Sequence, residues 1–405
     1  MKNIGYNKSI FYGFLFIGLL SVAFMIAEII NGRFWLADLE VYYKAANHIL
    51  RGENLYRISE DRHYIFKYSP TSALFFIPFT LLSFTASKYI YWLGLTAIIL
   101  YTFYLSIKLI KPELSSKPRS YNNFLLISGL ILAIHYLREL HLGQVNYLLL
   151  FVYVCMLILL LSDKMRTFSL LLAASVFIKP FGLIFLPYLV LKKKYKSIAY
   201  FLFFSLILAL LPLVFYGNME MYLQQNGLWF RELQIELGNK QNLLQQANHT
   251  IFSVIARYTP VRYLDGNAMA LRLFQLTVLG GLAALVLYFM NLKSKSESID
   301  IQRYNTISEF ALLITLIPLL SFTSENAFLF TQVVLLIVLI NFKYLLKYEK
   351  VLAIVSFILI GGNFGELIGR ELSNIVNDYS LITFGAILLI YLMFSLRKRG
   401  VFHQL

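Results

Sequence analysis

The chain has 405 residues, of which 59% are apolar and only 14% are Asp, Glu, Lys or Arg, with a mean hydropathy of +0.68. A soluble protein carries about 25% charged residues, so this composition excludes an ordinary water-exposed globule and requires a surface that faces lipid. The formal net charge of +15 lies in short clusters between apolar runs, which is membrane orientation and not a nucleic-acid groove.

The first apolar run, roughly Ile10 to Ile30, follows Lys2 and Lys8 and lacks a small-x-small cleavage site, so it reads as a retained signal-anchor helix. Just beyond it lies Trp35-Leu36-Ala37-Asp38-Leu39-Glu40-Val41-Tyr42-Tyr43. Leu39, Val41, Tyr42, Ala45, Ala46, Ile49 and Leu50 have helical apolar spacing, which predicts a helix lying along the membrane with Asp38 in its first turn. Asp38 there either caps the helix or acts as a general base, helped by partial burial beneath Trp35, Tyr42 and Tyr43. Glu40 is two residues on and points elsewhere. The next polar block carries Arg51, Asn54, Tyr56, Tyr64, Lys67 and Tyr68, then Tyr68-Ser69-Pro70 leads into an apolar stretch at 71–84.

Further membrane-length runs fall at roughly 88–110, 120–135 and 145–162. Between the last two, His135 to Asn146 is a polar loop holding Arg138, His141, Gln144 and Asn146. Gln144 and Asn146 stand at the start of the following helix, where they cap it or bind sugar hydroxyls; Arg138 and His141 offer positive charge or donors to phosphate. His135 and His141 lack a matched third ligand, so a zinc site is not expected. Cys155, the single cysteine, lies inside an apolar run, which leaves no intramolecular disulfide or cysteine-based metal cluster.

The run at 167–191 is broken by Lys179-Pro180-Phe181-Gly182 and reads as a hairpin of two short segments. Lys179 departs from the positive-inside pattern, where an ammonium meets a lipid-linked phosphate or snorkels to headgroups. After the run at 197–216 comes a long polar connection in which Asn248-His249-Thr250 precedes a helical segment, Ile251 to Tyr258. His249 and Arg257 are candidate contacts for a phosphate or polar acceptor. Runs at 267–290, 305–321, 326–343, 349–361 and 379–395 complete the chain, with Glu325 in the turn Ser321 to Asn326 as an acceptor-binding candidate or a surface carboxylate.

This predicts an all-α polytopic membrane protein, a single domain over 1–405 with about twelve crossings. Lys111, Lys117 and Arg119; Lys164 and Arg166; Lys192, Lys193, Lys194 and Lys196; Lys293, Lys295 and Arg303; Lys343, Lys347 and Lys350; and Arg397, Lys398 and Arg399 then share the inner side with both termini. The long outer connections are 31–87 and 217–266, with interfacial helices in them. Inner loops are too short for a nucleotide-binding domain, and no glycine-rich phosphate loop is present.

Asp38 with Tyr42-Tyr43, Tyr68-Ser69-Pro70, Gly143-Gln144-Val145-Asn146, Lys179-Pro180-Phe181-Gly182 and Asn248-His249-Thr250, in that order between membrane runs, resemble glycosyltransferase family 87. The resemblance implies a GT-C bundle in the bacterial cytoplasmic membrane. It implies an inverting transfer, on the outer face, of a hexose, mannose first among the options, from a polyprenyl-phosphate sugar to a hydroxyl of a lipid-linked or envelope glycan. On that pattern Asp38 is the catalytic base, and Lys179, Arg138 and His249 contact donor phosphate or substrate. Tyr42, Tyr43, Tyr68, His141, Gln144, Asn146, Asn248, Arg257 and Glu325 complete the substrate-binding set. The chain departs where relatives tend to carry Asn-Gln-Ser, here Asn248-His249-Thr250. No metal or cofactor is expected, because the leaving phosphate already carries charge and cationic side chains stabilise more of it. The partners expected are membrane lipids, the lipid-linked donor and the glycan acceptor, with no nucleic acid. The competing class is a transporter or flippase of a lipid-linked saccharide, which paired inverted repeats would favour; none is evident in the apolar runs.

Overall fold

The computed structural model describes residues 8–61, 65–239, 243–246, 248–264, 267–292, 299–321 and 327–401. Those residues form helices and turns, with no strand among them. In chain order the principal helices are α1 Lys8–Ile30, α2 Ala37–Leu50, α3 Phe84–Ile110, α4 Pro118–Ile131, α5 Ala133–Leu142, α6 Asn146–Leu161, α7 Met165–Ile178 and α8 Phe185–Leu191. They continue with α9 Tyr195–Tyr216, α10 Met219–Asn239, α11 Ile251–Tyr258, α12 Ala268–Asn291, α13 Ile299–Leu320, α14 Gln332–Ile340, α15 Lys347–Gly361, α16 Arg370–Asp378 and α17 Leu381–Lys398.

Among the described residues, five helices are long and apolar enough to cross a membrane: α1, α3, α9, α12 and α17. A sixth is available if α4 and α5, bent 64° at their junction, make one span. Helix α9 exposes Leu202, Phe203, Leu206 and Val214, and α12 exposes Leu273 and Leu276. Apolar faces of that extent need lipid. The protein is therefore a multi-pass membrane protein.

The expected twelve crossings ask the shorter helices to cross as well. Helix α6 has 16 residues and α7 has 14. At 1.5 Å per residue they reach about 24 and 21 Å, against about 30 Å of hydrocarbon. The run at 326–343 is divided further, into a 3₁₀ turn Phe328–Thr331, α14, and a second 3₁₀ turn Phe342–Tyr344. The polar loop expected from His135 to Asn146 is instead helix α5 as far as Leu142, and the connection at 217–266 holds the 21-residue helix α10.

By their contacts the residues fall into two compact units. The first comprises Leu20–Ile99 and Leu137–Gln241. Helix α7 packs along α9 and α6, and α2 lies on the short helices Pro70–Leu74 and Ile77–Thr80. Its fully buried side chains include Tyr42, Trp92, Tyr147, Tyr153, Phe168 and Phe185. Trp92 finds its polar partner in Ser21, donating Nε1–H to Oγ at 3.1 Å, as a buried indole requires. Helix α10 is tied to the loop after α2 by Arg57, which donates to both oxygens of Glu232, and by Gln225, which accepts from the Leu55 N–H at 2.9 Å.

The second unit comprises Met1–Leu19, Leu100–Tyr136 and Asn242–Leu405. Helix α13 from Ile307 onward and the whole of α14 are buried almost all round, consistent with the apolar runs they carry, and α15 packs along α17. A buried ion pair interrupts this core. Arg397 on α17 donates to Glu309 on α13 at 2.9 Å and to Ser308 Oγ at 3.0 Å, and its guanidinium sits 4.4 Å from the centre of the Phe289 ring. Removing one partner leaves the other charge uncompensated in an apolar interior. Glu309→Ala is therefore expected to destabilise the protein by about 3–5 kcal/mol, read as an earlier loss of the monodisperse peak on heating the detergent-solubilised protein.

Candidate active site

The site is built from three breaks in regular structure, each dictated locally. Helix α2 begins after Leu36, which adopts a left-handed conformation with φ 49°. No side chain caps this end, so Asp38 is not spent as the cap. Asp38 and Tyr42 are four residues apart and share a helix face. Tyr43 is rotated about 100° away by the helix geometry and donates its hydroxyl to the Leu82 carbonyl at 2.8 Å, while Glu40 pairs with Lys44 at 3.0 Å.

The second break is the turn between α5 and α6. Gly143 has φ +69°, and a Cβ there would lie 2.9 Å from Leu39 Cβ and 3.1 Å from Leu36 Cβ. Only glycine satisfies both the backbone angle and the close approach to the start of α2. That contact sets Gln144 beside Asp38. The Gln144 side chain donates from Nε2 to Asp38 Oδ2 at 2.6 Å, and its backbone carbonyl accepts from Tyr91 at 2.8 Å.

The third break is Lys179-Pro180. A residue before proline is driven out of the helical region, and Lys179 is extended with φ −144° and ψ 138°. Gly182 lets the following 3₁₀ turn, Pro180–Ile184, close on α7: a Cβ at Gly182 would lie 2.7 Å from Ser175 Oγ. The released Lys179 Nζ donates to Gln144 Oε1 at 3.1 Å and to Asn146 Oδ1 at 2.7 Å.

Asn146 turns its other end to a carboxylate: Nδ2 donates to Glu139 Oε1 at 2.7 Å, and the Tyr147 N–H donates to Glu139 Oε2 at 3.1 Å. Lys179 thus sits between two amides, each gripping an acid. Tyr42 shares its hydroxyl with Tyr68 at 3.1 Å and stacks on Phe76 at 4.5 Å. The Lys179 ammonium lies 5.7 Å from the ring centres of Tyr68 and Phe181. Tyr68 is fixed in turn, because its carbonyl accepts from Tyr56 at 2.7 Å and the next residue, Ser69, caps the short helix begun by Pro70.

Burial raises the Asp38 carboxyl above its ordinary value of 3.8, opposed first by the charge of Lys179, then by the Gln144 hydrogen bond and by Lys67. Burial likewise raises the Tyr42 hydroxyl well above its usual range, with Tyr68 and Asp38 adding to the effect, so Tyr42 works as a neutral donor and acceptor. The cluster therefore offers a partly desolvated carboxylate, a cation and hydroxyls held together by hydrogen bonds.

Of the residues singled out in the sequence, Asp38, Tyr42, Tyr68, Gln144, Asn146 and Lys179 meet here. Tyr43 faces Leu82, and Trp35 is exposed, so the cover over Asp38 comes from the Gln144 turn instead. Arg138 is half-buried on α5, and His141 bonds through Nδ1 to Glu28, with its ring 6.2 Å from that of Trp35. His135, in the second unit, bonds to the Ile360 carbonyl at 3.1 Å.

Asn248, His249 and Arg257 also belong to the second unit. There Asn248 Oδ1 accepts from the Thr250 hydroxyl at 2.8 Å, and Thr250 caps α11. His249 is buried with Nδ1 3.1 Å from Ser380 Oγ, and Arg257 donates to the Gln245 carbonyl at 2.7 Å. Glu325 lies outside the described residues. Glu139 and Tyr91 are the members of the cluster that sequence reasoning passed over. A lone Glu placed seven residues before an Asn that opens an apolar helix was the available signal for Glu139.

A membrane-embedded helical protein whose polar groups converge on a half-buried carboxylate, joined to a lysine through an amide, is built for chemistry at a lipid boundary. The sequence matches the family description of glycosyltransferase family 87 over residues 66–315, more than half of the chain, and the chain belongs to that family. Tyr68, Glu139, Gln144, Asn146 and Lys179 fall within the match, whereas Asp38 and Tyr42 precede it and join it through the Gly143 contact. No curated protein and no solved structure matches.

Gly143→Ala tests the scaffold. Left-handed strain and overlap with Leu39 are expected to cost about 1–3 kcal/mol, and thermal unfolding measured beside a Gln144→Ala variant separates this cost from loss of the amide alone, which leaves the backbone contact intact.

Proposed function

We propose that this glycosyltransferase moves a hexose, mannose first among the candidates, from a polyprenyl-phosphate sugar to a hydroxyl of a lipid-linked or envelope glycan, on the outer face of a bacterial cytoplasmic membrane, with inversion. The observation that carries the reading is Asp38: a partly desolvated carboxylate held by Gln144 Nε2 at 2.6 Å, with its raised pKa opposed by Lys179.

In this mechanism the acceptor hydroxyl gives its proton to Asp38 as its oxygen attacks the anomeric carbon from the face opposite the phosphate. The bond from that carbon to the phosphate oxygen breaks, and its electron pair leaves on the phosphate. The donor phosphate gains one negative charge in the process. A cation near the leaving oxygen stabilises that charge without giving up a proton, which is the role proposed for Lys179. No covalent sugar-carboxylate intermediate is needed. The same chemistry asks for no resident metal, and transfer is expected to persist in excess EDTA. Tyr42 and Tyr68, with the amides of Gln144 and Asn146, are proposed to orient donor and acceptor hydroxyls. The GT-C bundle and twelve crossings belong to this same proposal, with α6 and α7 crossing where protein or a thinned bilayer covers their short length.

The test is transfer by purified protein in lipid, with a panel of polyprenyl-phosphate sugars and envelope-lipid extract. Asp38→Asn is expected to lose about 10²–10⁴-fold in turnover while still binding the donor lipid. Undiminished turnover in that variant would rule out the base assignment, and sugar-lipid movement across the bilayer without product would favour a carrier.

The pH profile adds a second check. A base must be deprotonated, so kcat/KM falls as pH drops through the Asp38 pKa, and burial places that limb above the ordinary carboxylate value of 3.8. Lys179→Met removes the largest influence holding that pKa down. It is expected to move the acid limb to higher pH as well as to slow the reaction.

A further inference from the structure

Helices α7 and α9 pack along one another, and their N-terminal ends make a cleft of about 790 Å³. Each helix starts the same way. Asp163 at φ 50° precedes the N-cap Lys164 of α7, and Lys193 at φ 55° precedes the N-cap Lys194 of α9. Neither end has a side-chain cap, and neither first turn holds an acidic residue. Free N–H groups and the positive end of the helix dipole ordinarily attract Asp or Glu. Here the first turns carry Arg166 and Lys196 instead, and Lys164, Lys193 and Lys194 line the cleft with them.

Beyond orienting the chain in the membrane, charge of one sign gathered on two uncapped helix ends sets up a positive potential between them that an anion would relieve. Asp163, the one acidic residue lining the cleft, is engaged by Lys194 at 2.8 Å. Arg166 is held in place by Tyr200, donating Nε–H to its hydroxyl at 3.2 Å. A separate observation points to a ligand. Ser197 lines the same cleft, is only 1% exposed, and its Oγ has no hydrogen-bond partner. Buried hydroxyls normally find one. An unpartnered donor in the wall of a basic cleft matches an acceptor-rich oxyanion.

We propose that this cleft is a second binding site, selective for a phosphate group, either that of an anionic lipid headgroup or that of a soluble phosphate ester. It is separate from the Asp38 cluster, since Lys179 follows the opposite end of α7, a 14-residue helix about 21 Å long. Helix α9 is of membrane-crossing length, so its end sits at the depth of lipid phosphates. Basic pockets at such helix ends bind anionic headgroups. The proposal does not depend on the transferase mechanism.

The experiment uses full-length protein, delipidated in neutral detergent. Retention of phosphatidylglycerol against phosphatidylcholine is read by native mass spectrometry, and protection against heating by inorganic phosphate or pyrophosphate is read in parallel. Wild type is expected to prefer phosphatidylglycerol by roughly ten- to thirtyfold, and Arg166→Gln with Lys196→Gln to abolish the preference. Both positions are exposed, and Lys196→Gln alone should give a smaller, graded loss, which distinguishes a lost site from a misfolded protein. Protection by inorganic phosphate or pyrophosphate without lipid preference, lost in the same variant, identifies the soluble source. The control removes equal charge elsewhere, with Lys343→Gln and Lys350→Gln. An equal fall in that control, an unchanged preference in the Arg166 and Lys196 variant, or no selectivity for either phosphate source overturns the proposal.

Discussion

The constraint on which the site depends is the position of one ammonium between two amides. Lys179 donates to Gln144 and Asn146, and each amide spends its own N–H on an acid, Asp38 in one case and Glu139 in the other. An amide is suited to this because it accepts at one end and donates at the other. The two acids share a single lysine through intermediaries, and no acid touches another. The arrangement satisfies buried polar groups that would each be costly alone, while leaving the Asp38 carboxylate incompletely neutralised. A directly paired Asp38 would be a weaker base.

Much of this was legible in the sequence, for identifiable reasons. Apolar runs and lysine clusters mark helix positions because lipid imposes a length and a composition on whatever crosses it. The observed α1, α3, α9, α12 and α17 lie where the runs place them. Pro180 foretold the break at the end of α7 and Asp38 the first turn of α2, because both effects are local. The number of crossings is less legible, since a 14-residue apolar helix reads the same whether lipid or protein surrounds it.

What the sequence concealed is rotation and long-range pairing. Tyr42 and Tyr43 are equivalent as letters, yet one joins the cluster and the other faces Leu82, by a single residue's turn of the helix. Glu139 stood among His135, Arg138 and His141 in what looked like a solvated loop. It is fully buried, because α5 continues through that stretch and turns it toward Asn146. The Asn248-His249-Thr250 segment stood out for its polarity, and in the structure those side chains close the start of α11 and reach Ser380.

The turn at Gly143 carries one more implication, for the lengths that this part of the chain tolerates. Gln144 precedes the first turn of α6 and Asn146 opens it, and both must reach one lysine from opposite sides. Inserting or deleting a single residue between Gly143 and Asn146 would either pull the turn off Leu39 or swing Asn146 by about 100° around its helix axis. Homologous chains that keep the lysine should therefore hold the spacing from Gly143 to Asn146 fixed. An alignment gap at this turn would mark a chain that has rebuilt its site by another route.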